Sequence, residues 1–188
     1  IAWKLKQSKN VTELFCAPGN AGIKELANCV DIKADDIEGL LKFVKENNIE
    51  LTVVGPEVPL EKGIVDLFNK EGLLIFGPQK SAAKLEHSKI FAKDFMKRNN
   101  IPTAEYKTFS LSQKAEVFDH ISTAAYPLVI KADGLAAGKG VVICTNIDDA
   151  IKTVNELFDD KIFGSAGDNI VIEQFLEGTE ASVFAICD

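Results

Sequence analysis

The sequence has little of what zinc sites, disulfide frameworks and membrane spans require. Its four cysteines, Cys16, Cys29, Cys144 and Cys187, form no C-x-x-C pair, and the chain has only two histidines. These numbers and spacings do not fit the usual zinc or disulfide patterns. No apolar run approaches the roughly 20 residues that a membrane-spanning helix needs. We therefore expect a cytoplasmic protein with reduced cysteines and no membrane partner.

The chain also lacks an excess of basic charge. Against 28 Asp and Glu it has 21 Lys and Arg, which gives a net charge of −7 over 188 residues. Neutralising nucleic-acid phosphates needs a basic stripe, so we expect no nucleic-acid partner. With 46% hydrophobic and 26% charged residues, the composition is typical of a globular protein and excludes a disordered one.

Residues 12–78 alternate short apolar runs with helical patterns. The predicted elements are strands at residues 14–16, 51–55 and 73–76 and helices at residues 37–47 and 60–70. Such alternation predicts parallel strands joined by crossover helices, a doubly wound α/β sheet. Ligands of these sheets bind beyond the carboxyl ends of the strands. Here those ends are the turns at residues 17–22, 55–57 and 77–78.

A second unit of mixed α+β type is predicted to begin near residue 100. One long helical pattern over residues 80–98 precedes it. Beyond that helix the predicted elements are strands at residues 104–109, 128–132, 141–144 and 170–176 and helices near residues 113–120 and 148–158.

The most informative segment joins two predicted strands at residues 131–140. Lys131 lies near the end of the first strand. The loop that follows holds a lysine among three glycines: Gly134, Gly138, Lys139 and Gly140. Glycines let backbone amides approach phosphate oxygens, and lysines compensate the phosphate charge. The spacing is not that of a Walker A loop, so we interpret the segment as a flap over a nucleotide. A hairpin whose glycines serve only the turn is the alternative.

Residues 170–180 can bind a nucleoside. Three apolar residues lead to Glu173, and a second acid, Glu180, lies seven positions further on. Carboxylates accept hydrogen bonds from an exocyclic amine or from ribose hydroxyls, and main-chain groups can contact the ring edge. Acidic residues at strand ends are commonly just exposed to solvent. The pattern supports a nucleoside site mainly because it follows the glycine-containing segment at residues 131–140.

Six motifs, in their order along the chain, resemble the phosphoribosylamine–glycine ligase (glycinamide ribonucleotide synthetase) family of ATP-grasp enzymes. They are APGNAG (17–22), VGPEVPL (54–60), FGP (76–78), LEHSK (85–89), IPTAEY (101–106) and KADGLAAGKG (131–140). The resemblance implies ATP-dependent joining of glycine to 5-phosphoribosylamine through a glycyl phosphate, the second step of de novo purine biosynthesis. It also implies a Rossmann-like substrate domain over residues 1–87 and an incomplete ATP-grasp domain over 88–188, with a lid subdomain at about 107–177.

The resemblance further implies roles for individual residues. Lys89 and Lys131 would reach the ATP phosphates, and the loop residues Gly134, Gly138, Lys139 and Gly140 would cover them. The nucleoside contacts would be Glu173, Gln174 (main-chain carbonyl) and Leu176 (main-chain amide) for adenine and Glu180 for ribose. The candidates for the phosphoribosylamine site are Gly19, Asn20, Gly22 and Glu57.

The resemblance leaves some functional groups outside this chain. It implies that the polypeptide continues beyond both ends, with the ligands of Mg²⁺ (or Mn²⁺) after Asp188, so we expect the isolated 188 residues not to turn over. Catalytic residues are not assigned. His87 and Gln174 stand where the family usually has Gly and Glu. Two alternatives stay open: another ATP-grasp carboxylate–amine ligase or biotin-dependent carboxylase, and a nucleotide-binding module without catalysis.

Overall fold

The computed structural model describes residues 1–134 and 140–186. The chain divides into two compact units, Ile1–Glu86 (unit 1) and His87–Asp188 (unit 2). No helix in the described ranges is both long enough and apolar enough to cross a membrane.

Unit 1 contains two short pairs of parallel strands. Its elements are α1 (Ala2–Leu5), β1 (Phe15–Cys16), a 3-10 turn (Ile23–Glu25), β2 (Asn28–Cys29), α2 (Ile37–Glu46), β3 (Thr52–Val53), α3 (Glu57–Lys62), α4 (Ile64–Lys70), β4 (Ile75–Phe76) and α5 (Lys80–His87). Strand β1 pairs with β2, and β3 pairs with β4. Both pairs are parallel, with the 3-10 turn between β1 and β2 and helices α3 and α4 between β3 and β4, so the predicted α/β class is confirmed.

Helix α2 begins where the sequence predicts. The Asp36 carboxylate accepts a hydrogen bond from the Gly39 amide at 3.0 Å and so caps the helix. Its apolar face buries Leu41 and Val44 in a small core with α4, whose Phe68 is fully buried. This periodic apolar face is the reason that the segment folds as a helix.

The predicted single helix over residues 60–70 is wrong. Two helices, α3 and α4, meet at Gly63, which has a left-handed backbone with φ of 86° and donates its amide to the Leu60 carbonyl at 3.0 Å. Glycine adopts this conformation without a Cβ clash, so it ends α3 there. Helix α3 also begins earlier than predicted, with Pro59 in its first turn, where no amide donor is needed.

Unit 2 is built on a four-stranded antiparallel sheet in the order β5-β8-β6-β7. Its elements are α6 (Lys89–Arg98), β5 (Tyr106–Ser110), α7 (Lys114–Thr123), β6 (Leu128–Ala132), β7 (Val141–Cys144), α8 (Ile147–Phe158) and β8 (Asn169–Gln174), with 3-10 turns at Leu111–Gln113 and Gly164–Gly167. Strand β6 lies between β7 and β8, so that Ile130 is opposite both Val142 and Ile172. The mixed α+β character predicted for this half is confirmed.

One face of this sheet packs against α7 and α8. Alternate residues of β6 and β8 supply its buried apolar side chains, namely Leu128, Ile130, Ala132, Ile170 and Ile172. Side chains alternate between the two faces of a strand. Lys131 and Glu173 therefore lie on the opposite face.

The predicted long helix over residues 80–98 is also wrong. The backbone of Ser88 is extended, with φ of −120°, and separates α5 from α6. Its hydroxyl accepts a hydrogen bond from the Phe91 amide at 3.1 Å, so Ser88 is the N-cap of α6. The apolar periodicity runs through this break and does not reveal it.

Candidate functional site

The start of α6 is bound to the end of β6. Asp133 Oδ1 accepts a hydrogen bond from the Ile90 amide at 2.7 Å, and the Ser88 hydroxyl donates to the same carboxylate at 3.2 Å. A carboxylate at this position also interacts favourably with the positive end of the helix dipole. Asp133 thus holds the first turn of α6 beside the loop that leaves β6.

Lys89, the first residue of α6, extends to that loop. Its Nζ donates a hydrogen bond to the Gly134 carbonyl at 3.1 Å. Gly134 packs closely: a Cβ there would lie 2.6 Å from the Cβ of Ala166, so a larger residue would force a displacement. At the other end of the loop, the buried Gly140 accepts a hydrogen bond from the Ala132 amide at 2.9 Å. The predicted phosphate contacts Gly138 and Lys139 lie outside the described residues.

Glu173 lies between two lysines on the face of the sheet away from α7 and α8. Its Oε2 accepts a hydrogen bond from Lys93 Nζ at 2.7 Å, and its Oε1 lies 2.8 Å from Lys131 Nζ. The Glu173 side chain is only 6% exposed. Since a buried carboxylate is stable only when it is compensated, the two ammonium groups explain how Glu173 is accommodated.

The two oxygens of Glu173 differ in hydrogen bonding. The Lys131 contact is an ion pair without hydrogen-bond geometry, and Oε1 accepts no hydrogen bond from any described residue. Buried acceptors normally have a partner, and one that lacks it invites a functional explanation. The arrangement of one carboxylate and two ammonium groups carries a net charge of +1, which suits an anionic ligand.

Lys93 is the residue of this cluster that the sequence analysis missed. It also donates to the Thr103 hydroxyl at 2.6 Å, and its Nζ lies 5.6 Å from the centre of the Tyr106 ring. The Tyr106 hydroxyl donates to Asp94 at 2.9 Å, and burial, followed by this bond, raises the pKa of Tyr106. In the sequence, the available signal for Lys93 was its position four residues after Lys89 in the same helical pattern, because residues i and i+4 share a helix face.

The other predicted nucleoside contacts are at or beyond the end of β8. The main-chain amide of Gln174 donates a hydrogen bond to the main-chain carbonyl of Glu105 at 2.9 Å. Leu176 is 63% exposed, and Glu180 is exposed without a hydrogen bond or ion pair to another described residue. The structure therefore brings Lys131 and Glu173 together but records no contact between Glu173 and Glu180.

The four candidates in unit 1 follow the ends of two strands. Gly19 comes after β1 with φ of 78°, and a Cβ there would lie 2.4 Å from the Cys29 sulfur. Asn20 Oδ1 accepts a hydrogen bond from the Ile23 amide at 3.0 Å, and Gly22 precedes the 3-10 turn that begins at Ile23. Glu57 is exposed at the start of α3. Gly19 and Asn20 therefore both have structural roles in the turn.

No metal cluster is formed by the described residues. Within the ranges 1–134 and 140–186, no three His, Cys, Asp or Glu side chains come close enough together to hold a metal ion.

The sheet and site of unit 2 define an ATP-grasp domain. A four-stranded antiparallel sheet is covered by α7 and α8 on one face, and on the other its residues Lys131 and Glu173 form an ion pair. The family model for the phosphoribosylglycinamide synthetase ATP-grasp (A) domain matches residues 87–188, and the model for the N domain of the same synthetase matches residues 1–86. The chain therefore belongs to the phosphoribosylglycinamide synthetase family.

Curated relatives agree with this assignment. The chain is 48% identical to phosphoribosylamine–glycine ligase of Clostridium acetobutylicum over 188 residues, which are 100% of this chain and 45% of that protein. It is also 48% identical to the Pasteurella multocida ligase, covering 44% of it. The chain thus spans a little under half the length of the curated relatives it matches.

Solved structures show the same fold. The crystal structure of phosphoribosylamine–glycine ligase from Thermotoga maritima matches with a TM-score of 0.74 and 31% identity, covering 95% of this chain and 41% of that one. The biotin carboxylase domain of 2-oxoglutarate carboxylase from Hydrogenobacter thermophilus, solved with MgADP, ADP and bicarbonate, matches at 0.69 and covers 88% of this chain and 39% of that one. At 18% identity, the second similarity concerns the fold alone.

Proposed function

We propose that the polypeptide carrying this chain joins glycine to 5-phosphoribosylamine at the expense of ATP, giving glycinamide ribonucleotide, ADP and phosphate. This would be the second step of de novo purine biosynthesis, in the cytoplasm and with small molecules as its substrates. The relatives at 48% identity bear the name of that ligase. The single observation that carries the proposal is the Lys93–Glu173–Lys131 cluster on the face of an ATP-grasp sheet away from α7 and α8.

The nucleotide is proposed to lie along this face. Lys131 is close to the end of β6, and Lys89 donates a hydrogen bond to the Gly134 carbonyl where the 134–140 loop begins. From these positions the two lysines would offset the charge of the ATP phosphates. The same proposal assigns Gly134, Gly138, Lys139 and Gly140 to the phosphates. The base would contact Glu173, the Gln174 carbonyl and the Leu176 amide, and the ribose would contact Glu180.

The chemistry sets two requirements for these groups. Transfer of a phosphoryl group to the glycine carboxylate develops negative charge, which positioned lysines stabilise without reorganisation. The resulting glycyl phosphate must then react with the amine of phosphoribosylamine before water reaches it, so the site must be closed while the intermediate exists. We assign the lysines to the first requirement and the loop after Asp133 to the second.

The phosphoribosylamine site is proposed in unit 1, at Gly19, Asn20, Gly22 and Glu57. These residues follow strands β1 and β3, and ligands of parallel sheets bind beyond the carboxyl ends of the strands. A divalent metal, Mg²⁺ or Mn²⁺, belongs to the proposal as well. Since the described residues form no cluster for it, we derive no step through the metal.

Phosphate release by the polypeptide that carries this chain tests the proposal. We expect release from ATP that requires both glycine and phosphoribosylamine, with glycinamide ribonucleotide formed in equal amount. Omitting either substrate is the matched control. Phosphate release that needs neither substrate, or that requires a carboxylic acid other than glycine, would contradict the proposed reaction.

A further inference from the structure

The two lysines that compensate Glu173 hold it in different ways. Lys93 is the more deeply buried, at 10% side-chain exposure, and it makes directed hydrogen bonds to both Glu173 Oε2 and the Thr103 hydroxyl. Lys131 is 26% exposed, and its contact with Oε1 is an ion pair without hydrogen-bond geometry. Lys93 is therefore the fixed partner, and Lys131 is the partner that can leave.

Removing a cation from a buried carboxylate is costly when nothing replaces it. Breaking a buried ion pair by removing one partner is strongly destabilising, because a charge is left uncompensated. If Lys131 were the sole counter-ion of Glu173, its attraction to a phosphate would have to overcome that cost. With Lys93 in place, Glu173 keeps a hydrogen-bonded cation while Lys131 changes partner.

The surroundings of Lys93 keep it at Glu173. Its second hydrogen bond, to Thr103, fixes the ammonium group from another direction. The ring of Tyr106 lies under it, and the Tyr106 hydroxyl binds Asp94, the next residue of α6. The helix that carries Lys93 is thus attached to the strand that carries Tyr106.

We propose that Lys93 is a positioning residue: it is the permanent counter-ion of Glu173 and so releases Lys131 to pair with the phosphates of a bound nucleotide. This inference rests on the proposed function, because it requires a nucleoside triphosphate on this face. Lys93 itself touches neither the base nor the phosphates. Its effect on binding passes through the charge of Glu173.

A double-mutant cycle on the polypeptide that carries this chain tests the role of Lys93. The dissociation constant of ATP is measured by calorimetry for the parent, Lys93→Met, Glu173→Gln and the double variant, at a temperature where all are folded. Lys93→Met should weaken ATP binding about tenfold, because Lys131 then stays with Glu173. In the Glu173→Gln background no carboxylate needs compensation, so adding Lys93→Met should change the affinity less than about threefold.

The control variant is Lys97→Met, which makes the same Lys-to-Met change at an exposed lysine in the last turn of α6. It perturbs the same helix without changing the charges around Glu173, and we expect unchanged ATP affinity. A purely structural role for Lys93 would lower the melting temperature of Lys93→Met and leave the ATP affinity of the folded protein unchanged. That result, or an equal loss in both backgrounds, would overturn the proposal.

Two further comparisons cover a Lys93→Met variant that does not fold and distinguish failure of the Lys93 proposal from failure of the proposed function. If Lys93→Met alone does not fold, the double variant is compared with Glu173→Gln: equal affinities support the proposal, and a tenfold weaker double variant contradicts it. Lys131→Ala serves to test the proposed function itself. If that variant binds ATP as the parent does, the phosphate site is misplaced. If Lys131→Ala binds ATP weakly and Lys93→Met binds it as the parent does, only the proposed role of Lys93 is wrong.

Discussion

The two faces of the sheet in unit 2 differ in the polarity of their side chains and in their roles, although the same strands form both. Under α7 and α8 the side chains are apolar, and Ile130 is fully buried. On the opposite face the next residue, Lys131, pairs with Glu173. Because side chains alternate along a strand, one residue packs in the core while its neighbour belongs to the site proposed for the nucleotide. Stability and ligand binding should therefore be separable by mutations one position apart.

The largest effect is expected on the helix-covered face. Ile130→Ala removes buried methyl groups and should lower the free energy of unfolding by about 2–5 kcal/mol, as measured by denaturant titration. Ile143→Ala is the matched control, because Ile143 lies on β7 and is 53% exposed. This control should cost less than about 1 kcal/mol. Similar losses for both variants would contradict the difference between the faces.

On the charged face the expected loss concerns binding. Lys131→Ala should weaken ATP binding at least tenfold, about 1.4 kcal/mol, because a cation facing the phosphates is lost. The midpoint of unfolding should change little, since Glu173 keeps Lys93. The control is Lys152→Ala, which removes an exposed lysine of α8 whose partner Glu156 is 3.8 Å away. Unchanged ATP affinity in Lys131→Ala would remove the basis for a phosphate site there.

A smaller effect is expected at the junction of β6 and α6. Asp133→Ala removes the acceptor for the Ile90 amide and should destabilise the protein by about 1 kcal/mol. ATP binding should weaken by less than in Lys131→Ala, since Lys89 is displaced but not removed. Asp133→Asn keeps an oxygen acceptor and should retain most of the stability. Equal losses of stability in the Ala and Asn variants would show that the hydrogen bond from the Ile90 amide does not account for the loss.

The smallest effect is a pH dependence on the helix-covered side. Burial first, and then the nearby Lys107, lowers the pKa of His120 below its ordinary 6.5. As the pH falls through that ordinary value, the unfolded chain binds a proton that the folded chain does not, so stability decreases until the folded pKa is reached. Between about pH 7.5 and 5.5 the parent should therefore lose more stability than His120→Gln, measured as melting temperature. Parallel curves for the two proteins would contradict this.

Much of the fold could be predicted because local signals coincide with the elements. Strands β6 and β7 have the predicted bounds, since their apolar runs are interrupted by Pro127 on one side and by the glycine loop between them. Two predicted helices, over residues 60–70 and 80–98, are each broken into two in the structure. At Gly63 a left-handed glycine ends α3, and at Ser88 an extended residue caps α6. Neither residue interrupts the apolar periodicity, so periodicity alone could not place the breaks.

The candidate site was only partly predictable, for a related reason. Lys131 and Glu173 could be found because each ends an apolar run that reads as a strand. Lys93 is 80 positions from Glu173, and in the sequence it looks like an ordinary helix lysine. Asp133 lies within the recognised loop motif, yet nothing in the motif says that it binds the amide of Ile90. Such pairings depend on tertiary contacts and not on local pattern.

A crystal structure of the polypeptide that carries this chain, bound to a non-hydrolysable ATP analogue, tests the central claim most directly. We expect the phosphates beside Lys131 and Lys89 and the base beside Glu173, with Lys93 still hydrogen-bonded to Glu173. A nucleotide bound on the side of α7 and α8, or a Lys131 that still pairs with Glu173 while the phosphates lie elsewhere, would contradict the account.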